Sequence, residues 1–112
     1  MFDATRIARM KSTARLINTA RGGLVDEGAL YSALSSGELA GAGIDVFSPE
    51  PPLTDNPLFT LKNVIVAPHM AGNARESLER KSLTVVRNIL AVLDGAVPGN
   101  EYVVNPDALR KA

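Results

Sequence analysis

Residues 16–47 read LINTARGGLVDEGALYSALSSGELAGAGIDVF, and this stretch decides the fold. It opens on a short apolar run, Leu16-Ile17 with Asn18 and Thr19, that must turn at Arg21-Gly22-Gly23, so it predicts a buried strand. Asp26 stands where a helix cap would stand, and Val25 before it can pack on Leu30. Ala29, Leu30, Ala33 and Leu34 hold a 3.6-residue period as far as Ser36, where Gly37 stops it. Ala42-Gly43-Ile44-Asp45-Val46-Phe47 is too short for a helix and predicts a second strand. Strand, crossover helix and strand make a βαβ unit, whose connection makes the two strands run parallel.

Working outward, Val64-Ile65-Val66-Ala67 predicts a third strand, ended by Pro68-His69. The connection before it, Ser48 to Lys62, holds Pro49, Pro51, Pro52 and Pro57 and predicts no more than one helical turn. Connections of that length without structure of their own are usually functional or disordered. Upstream, Asp3 is placed to cap a short helix over Asp3–Lys11, with Ile7 and Met10 on one face. Downstream, Asn73 is placed to cap a long helix, with Glu76 completing a capping-box pair and Leu78, Val85, Ile89 and Leu93 facing inward. Asp94-Gly95 and Pro98 end it. Tyr102 to Pro106 suggests a further short strand, and Asp107 to Lys111 a last helical turn. The fold class is therefore α/β, a parallel sheet of about three strands with flanking helices. Parallel sheets are normally covered on both faces, and two sizeable helices leave a face and the edges bare. Something else is expected to cover them.

The composition narrows the function classes. A chain of 112 residues is one small domain or part of a larger one, since domains run to about 100–200 residues. Hydrophobic residues at 46% and charged residues at 21% fit a globular chain rather than a solvated tail. Twelve basic side chains balance twelve acidic ones with no basic block, so the counterion release that drives nucleic-acid binding has little to act on. The absence of Cys excludes disulfides, thiolate metal sites and a thiol nucleophile. No apolar run approaches the roughly 20 residues that cross a bilayer, and the start lacks the apolar core of a signal peptide. A soluble cytoplasmic protein is expected, with no metal, nucleic-acid or membrane partner.

In open parallel sheets, ligands bind beyond the carboxyl ends of the strands. Each strand here delivers an ionisable group at that end: Arg21 after the first, Asp45 and Glu50 near the end of the second, and His69, the single histidine, after the third. A carboxylate bonded to an imidazole favours its protonated form, and an arginine fork beside it can hold a substrate carboxylate in a bidentate pair. That set suits acid–base chemistry on a small carboxylate-bearing molecule. Each residue also has a plainer reading. His69 can be a turn residue, Arg21 a solvated loop charge, Asp45 a buried cap on backbone N–H groups, and Glu50 an exposed loop acid. Their shared place at the strand ends is what joins them.

Three motifs in this order, LINTARGGLVDEGAL at 16–30, GAGIDVFSPEPP at 41–52 and NVIVAPHMAG at 63–72, resemble the C-terminal third of the D-isomer-specific 2-hydroxyacid dehydrogenases. The resemblance runs over nearly all of residues 1–106. It implies that 1–95 form the C-terminal half of a Rossmann-like NAD(P)-binding domain and that 96–112 return toward a substrate domain the chain lacks. It further implies that Arg21 binds the substrate carboxylate and carbonyl. Glu50 would pair with His69, and His69 would exchange a proton with the substrate oxygen while NAD or NADP exchanges hydride with its carbon. By the same resemblance Asp45 meets the nicotinamide amide, and Ala20, His69 and Gly72 line the nicotinamide ribose and ring. The sequence contains no G-x-G-x-x-G, so the pyrophosphate seat of such a domain is missing.

Three expectations follow from the residues and the resemblance together. The first is the catalytic segment of an oxidoreductase acting on a small 2-hydroxy or 2-keto acid, inactive as an isolated fragment. The second is an assembly module that buries its incomplete sheet in a homo-oligomer or against a complementing chain. The third is a ligand-binding domain that keeps the Arg21 carboxylate site alone.

Overall fold

The computed structural model describes residues 1–105, so Pro106 and the helical turn expected over Asp107 to Lys111 lie outside the described residues. The chain divides into two compact units, Met1–Ala71 and Gly72–Ala112.

The first unit is built on three parallel strands, β1 (Arg15–Asn18), β2 (Gly41–Ile44) and β3 (Val64–Val66), in the spatial order β1-β2-β3. Leu16 is paired with Ala42, which is paired with Val64; the next row is Ile17, Gly43 and Ile65. Because side chains alternate along a strand, these rows point to opposite faces. Leu16, Asn18, Ala42 and Ile44 are buried. They join the core with α2 (Glu27–Ser36), which contributes Leu30, Ala33 and Leu34. Ile17 and Ile65 remain 74% and 79% exposed. Within this unit the bare face expected from the element count is therefore present.

The ends of α2 follow from local chemistry. The Asp26 carboxylate accepts from the backbone N–H of Ala29 at 2.9 Å, and Gly37 takes the left-handed conformation that closes the helix. The first helix, α1, is shorter than expected, spanning Ala4–Ile7, with Asp3 accepting from the N–H of Arg6 as its cap. Its Ile7 is buried, and Met10 packs against the core beyond the helix end. The long connection after β2 contains one 3-10 turn, Pro57–Thr60, whose Leu58 is fully buried.

The second unit departs from expectation in three places. Its helix α3 spans Arg75–Leu93, and its cap residue is Ala74, with no side-chain cap bond. Asn73 lies one position too early for its amide to reach the free N–H groups of the first turn, so Glu76 has no capping-box partner. Glu76 still places a negative charge in the first turn. Leu78, Val85, Ile89 and Leu93 meet no core of their own unit among the described residues: all are about half exposed or more. Periodicity reports which side of a helix is apolar, not whether a partner layer is there. The strand expected at Tyr102 is replaced by a 3-10 turn, Asn100–Tyr102, closed by Tyr102 N–H donating to the Gly99 carbonyl at 2.8 Å. The preceding Pro98-Gly99 favours the turn over extension.

Candidate active site

Two buried polar side chains, Asn18 and Asp45, hold the loops at the carboxyl ends of the strands. Asn18 ends β1 inside the core, where its amide N–H donates to the carbonyl of Arg21 at 2.9 Å and its amide oxygen accepts from Ala20 N–H at 3.1 Å. This pins the loop bearing Ala20 and Arg21. The next residue, Gly22, is pressed against the segment that follows β2: a β-carbon there would overlap the carbonyl of Phe47. Only glycine permits that approach.

Asp45, at the end of β2, anchors the loop after β3. Its carbonyl oxygen accepts from His69 N–H at 2.9 Å, and its two carboxylate oxygens accept from Met70 N–H at 2.8 Å and Ala71 N–H at 2.9 Å. The Ala71 bond, then the Met70 bond, and after them the charge of His69, hold the Asp45 carboxyl below its ordinary pKa. These bonds also keep His69 in the left-handed region, at φ 55°, a conformation costly for a residue with a β-carbon. Asp45 thus takes the backbone-capping role left open in its sequence. Each of its oxygens keeps acceptor capacity beyond the one bond it makes.

His69 and Glu50 meet directly: Nδ1 of the imidazole is hydrogen-bonded to Glu50 Oε1. A carboxylate can only accept, so Nδ1 carries the proton and Nε2 is left without a partner among the described residues. Both side chains are partly exposed, 44% and 41%. Glu50 lies on the loop after β2, where the Ser48–Pro49 and Glu50–Pro51 peptide bonds are cis. The pair stands at the edge of a cavity of about 450 Å³ whose walls include Asp45, Phe47, Phe59, Val66 and Pro68. Phe47 and Phe59 pack edge to face there, with ring centres 5.5 Å apart.

Of the six residues singled out in the sequence, Asp45, Glu50 and His69 are brought together. Arg21 follows β1 at the same end of the sheet, but its guanidinium turns back to the Ala20 carbonyl at 2.6 Å and does not touch the pair. Gly72 opens the second unit, where its carbonyl accepts from Lys81 Nζ at 2.8 Å. Two contributors escaped the sequence reading. Asn18 reads as the polar end of a strand, and nothing in its spacing marks it as the pin of the Arg21 loop. Glu27 reads as an acidic residue in the first turn of a helix, yet it accepts from Ser48 N–H at 2.7 Å and from the Asn56 side-chain amide at 2.8 Å.

A family model described as D-isomer specific 2-hydroxyacid dehydrogenase, NAD binding domain, matches residues 1–71. Over 110 residues the chain is 44% identical to a glyoxylate reductase of Korarchaeum cryptofilum, covering 98% of this chain and 32% of that protein. Over 108 residues it is 43% identical to a glyoxylate/hydroxypyruvate reductase B of Salmonella newport, covering 96% of this chain and 33% of the other. Among solved structures, a D-isomer specific 2-hydroxyacid dehydrogenase from Xanthobacter autotrophicus Py2 in complex with NADPH and MES aligns with a TM-score of 0.76 at 37% identity. That alignment covers 98% of this chain and 43% of the other. The chain spans about a third of the length of the curated relatives it matches.

Proposed function

Since the chain belongs to the D-isomer-specific 2-hydroxyacid dehydrogenases, we propose that it carries the acid–base end of an oxidoreductase that passes hydride between NAD(P) and a small D-2-hydroxy acid or its 2-keto partner. The observation that carries this reading is the Glu50–His69 pair at the carboxyl ends of parallel strands, with Nε2 of the imidazole left open among the described residues.

In the reducing direction, Arg21 releases the Ala20 carbonyl and grips the substrate carboxylate through its fork. His69 gives the Nε2 proton to the keto oxygen, and the Glu50 carboxylate balances the imidazolium until it does. As negative charge builds on that oxygen, the imidazolium and the Arg21 guanidinium stabilise it. Oxidation runs the same proton back to His69. The bound cofactor supplies or accepts the hydride at the substrate carbon.

The residues here suit one end of such a cofactor. The carboxamide of a nicotinamide needs an acceptor, and Asp45 retains acceptor capacity on both carboxylate oxygens. Ala20 and Gly72 are proposed beside the nicotinamide ribose and ring. The sequence has no G-x-G-x-x-G, so the proposal needs that half supplied alongside. Alone, the chain is proposed to be inactive. The deciding experiment grafts residues 1–112 in place of the matching segment of the Korarchaeum cryptofilum relative and follows NADH and NADPH oxidation with glyoxylate and hydroxypyruvate. Turnover with either acid, absent when His69 is Gln, is the expected result; a folded, cofactor-binding graft without turnover overturns the reading.

A second reading rests on the bare row of Ile17, Gly43 and Ile65. An uncovered apolar face of a parallel sheet favours burial against another chain, and a homo-oligomer would supply one. Ile65→Lys separates the readings: a dimer that becomes a monomer on size exclusion supports assembly through this face.

A further inference from the structure

We propose that Glu27 is a positioning residue for the Glu50–His69 pair, clamping with one carboxylate both ends of the loop that carries Glu50. The inference rests on the acid–base reading of that pair.

The loop from Ser48 to Asn56 has no regular structure and carries Glu50 near its start. The pair itself is a weak tether, because an exposed ion pair gains little against water. Something else must hold the loop for the pair to persist. Glu27 Oε1 accepts from Ser48 N–H at 2.7 Å, at the loop's entry, and Oε2 accepts from the Asn56 amide at 2.8 Å, at its exit. Asn56 passes the restraint on, since its Oδ1 accepts from Leu58 N–H at 3.0 Å and Leu58 is fully buried. Glu27 begins α2, whose Leu30 and Leu34 lie in the core.

The two halves of the pair are therefore referenced separately, His69 through Asp45 and Glu50 through Glu27. The clamp needs a carboxylate. Two donors face it, and glutamine offers one acceptor atom while turning an N–H toward the other donor. Hydrogen bonds to an ionised acceptor are also the stronger kind.

Because the chain has a single histidine, its imidazole nitrogen spectrum is a one-site report on the pair. With the full chain labelled at His69 and the ring neutral, the Glu50 carboxylate favours the Nδ1–H tautomer, whereas a free imidazole in water favours Nε2–H. Glu50→Ala sets the uncoupled end point. Glu27→Gln and Asn56→Ala are expected to move both ring nitrogen shifts most of the way to that end point, while the amide signals of Leu30 and Leu39 stay in place. If Glu27→Gln does not hold the fold, Asn56→Ala decides by the same readout. Wild-type ring shifts in either folded variant overturn the clamp while leaving the dehydrogenase reading intact. Wild-type shifts in Glu50→Ala overturn the clamp and the pairing beneath it together, which graft turnover would not reveal.

Discussion

The backbone N–H of His69 donates to the carbonyl oxygen of Asp45 at 2.9 Å, so the root of the imidazole is fixed to the end of a neighbouring parallel strand. The next two N–H groups go to the Asp45 carboxylate. Asp45→Ala leaves Met70 and Ala71 without acceptors and removes two of the three bonds that hold the left-handed turn at His69. Hydrogen exchange at the Met70 and Ala71 amides is expected to speed up by about tenfold or more, as a locally opened segment would show. Asp45→Asn keeps one acceptor and should fall between. Wild-type exchange in the alanine variant would sink this account of the loop.

The same bonds set a pH dependence. Asp45 is held below its ordinary pKa, first by the Ala71 N–H and then by the Met70 N–H. A carboxyl depressed on folding contributes stability that is fully present above its unfolded value of about 3.9 and is lost as pH falls through the folded value. Urea midpoints measured from neutral pH downward should therefore drop across that acid window in the wild type. In Asp45→Asn the drop should be shallower, because the variant has no proton to take up at this position.

Gly22→Ala is expected to destabilise the first unit by about 1–3 kcal/mol, the usual cost of forcing extra volume into a packed site. The atom it would strike is the backbone carbonyl of Phe47, so no side-chain rotation relieves it. Urea denaturation reads the loss. Gly23→Ala, where open space surrounds the new β-carbon, is the control and should stay within about 0.5 kcal/mol of the wild type.

Why some of this was legible in the chain and some was not follows from the range of each signal. The strands and α2 are written locally: Asp26 caps within three residues, Gly37 ends the helix, and short apolar runs mark the strands, whereas two adjacent apolar residues do not tell that Leu16 is inside and Ile17 outside. The pairing of Glu50 with His69 spans 19 residues: the parallel strands put both at one rim, and the pairing itself was what the family resemblance implied. Glu27 acts across 21 and 29 residues through an ordinary first-turn acid, and no local pattern distinguishes that from a solvated one. In α3 the apolar period was real, but periodicity could not supply a layer to cover it.

Arg21 and His69 should fail differently in the active graft. Arg21 is assigned to the substrate carboxylate, an interaction made before and during reaction, so its loss weakens binding throughout. His69 is assigned to the proton, which matters as charge develops on the keto oxygen. Arg21→Lys keeps the charge and loses the fork, so it is expected to raise KM for the keto acid by roughly tenfold or more with a smaller effect on kcat. His69→Gln removes the proton donor and is expected to lower kcat by about 10²–10⁴-fold with little change in KM. Steady-state kinetics on the two variants checks the division. Since the Arg21 guanidinium donates to the Ala20 carbonyl, an Arg21→Lys variant with wild-type KM would mean that Arg21 serves the loop alone and that another cation holds the carboxylate.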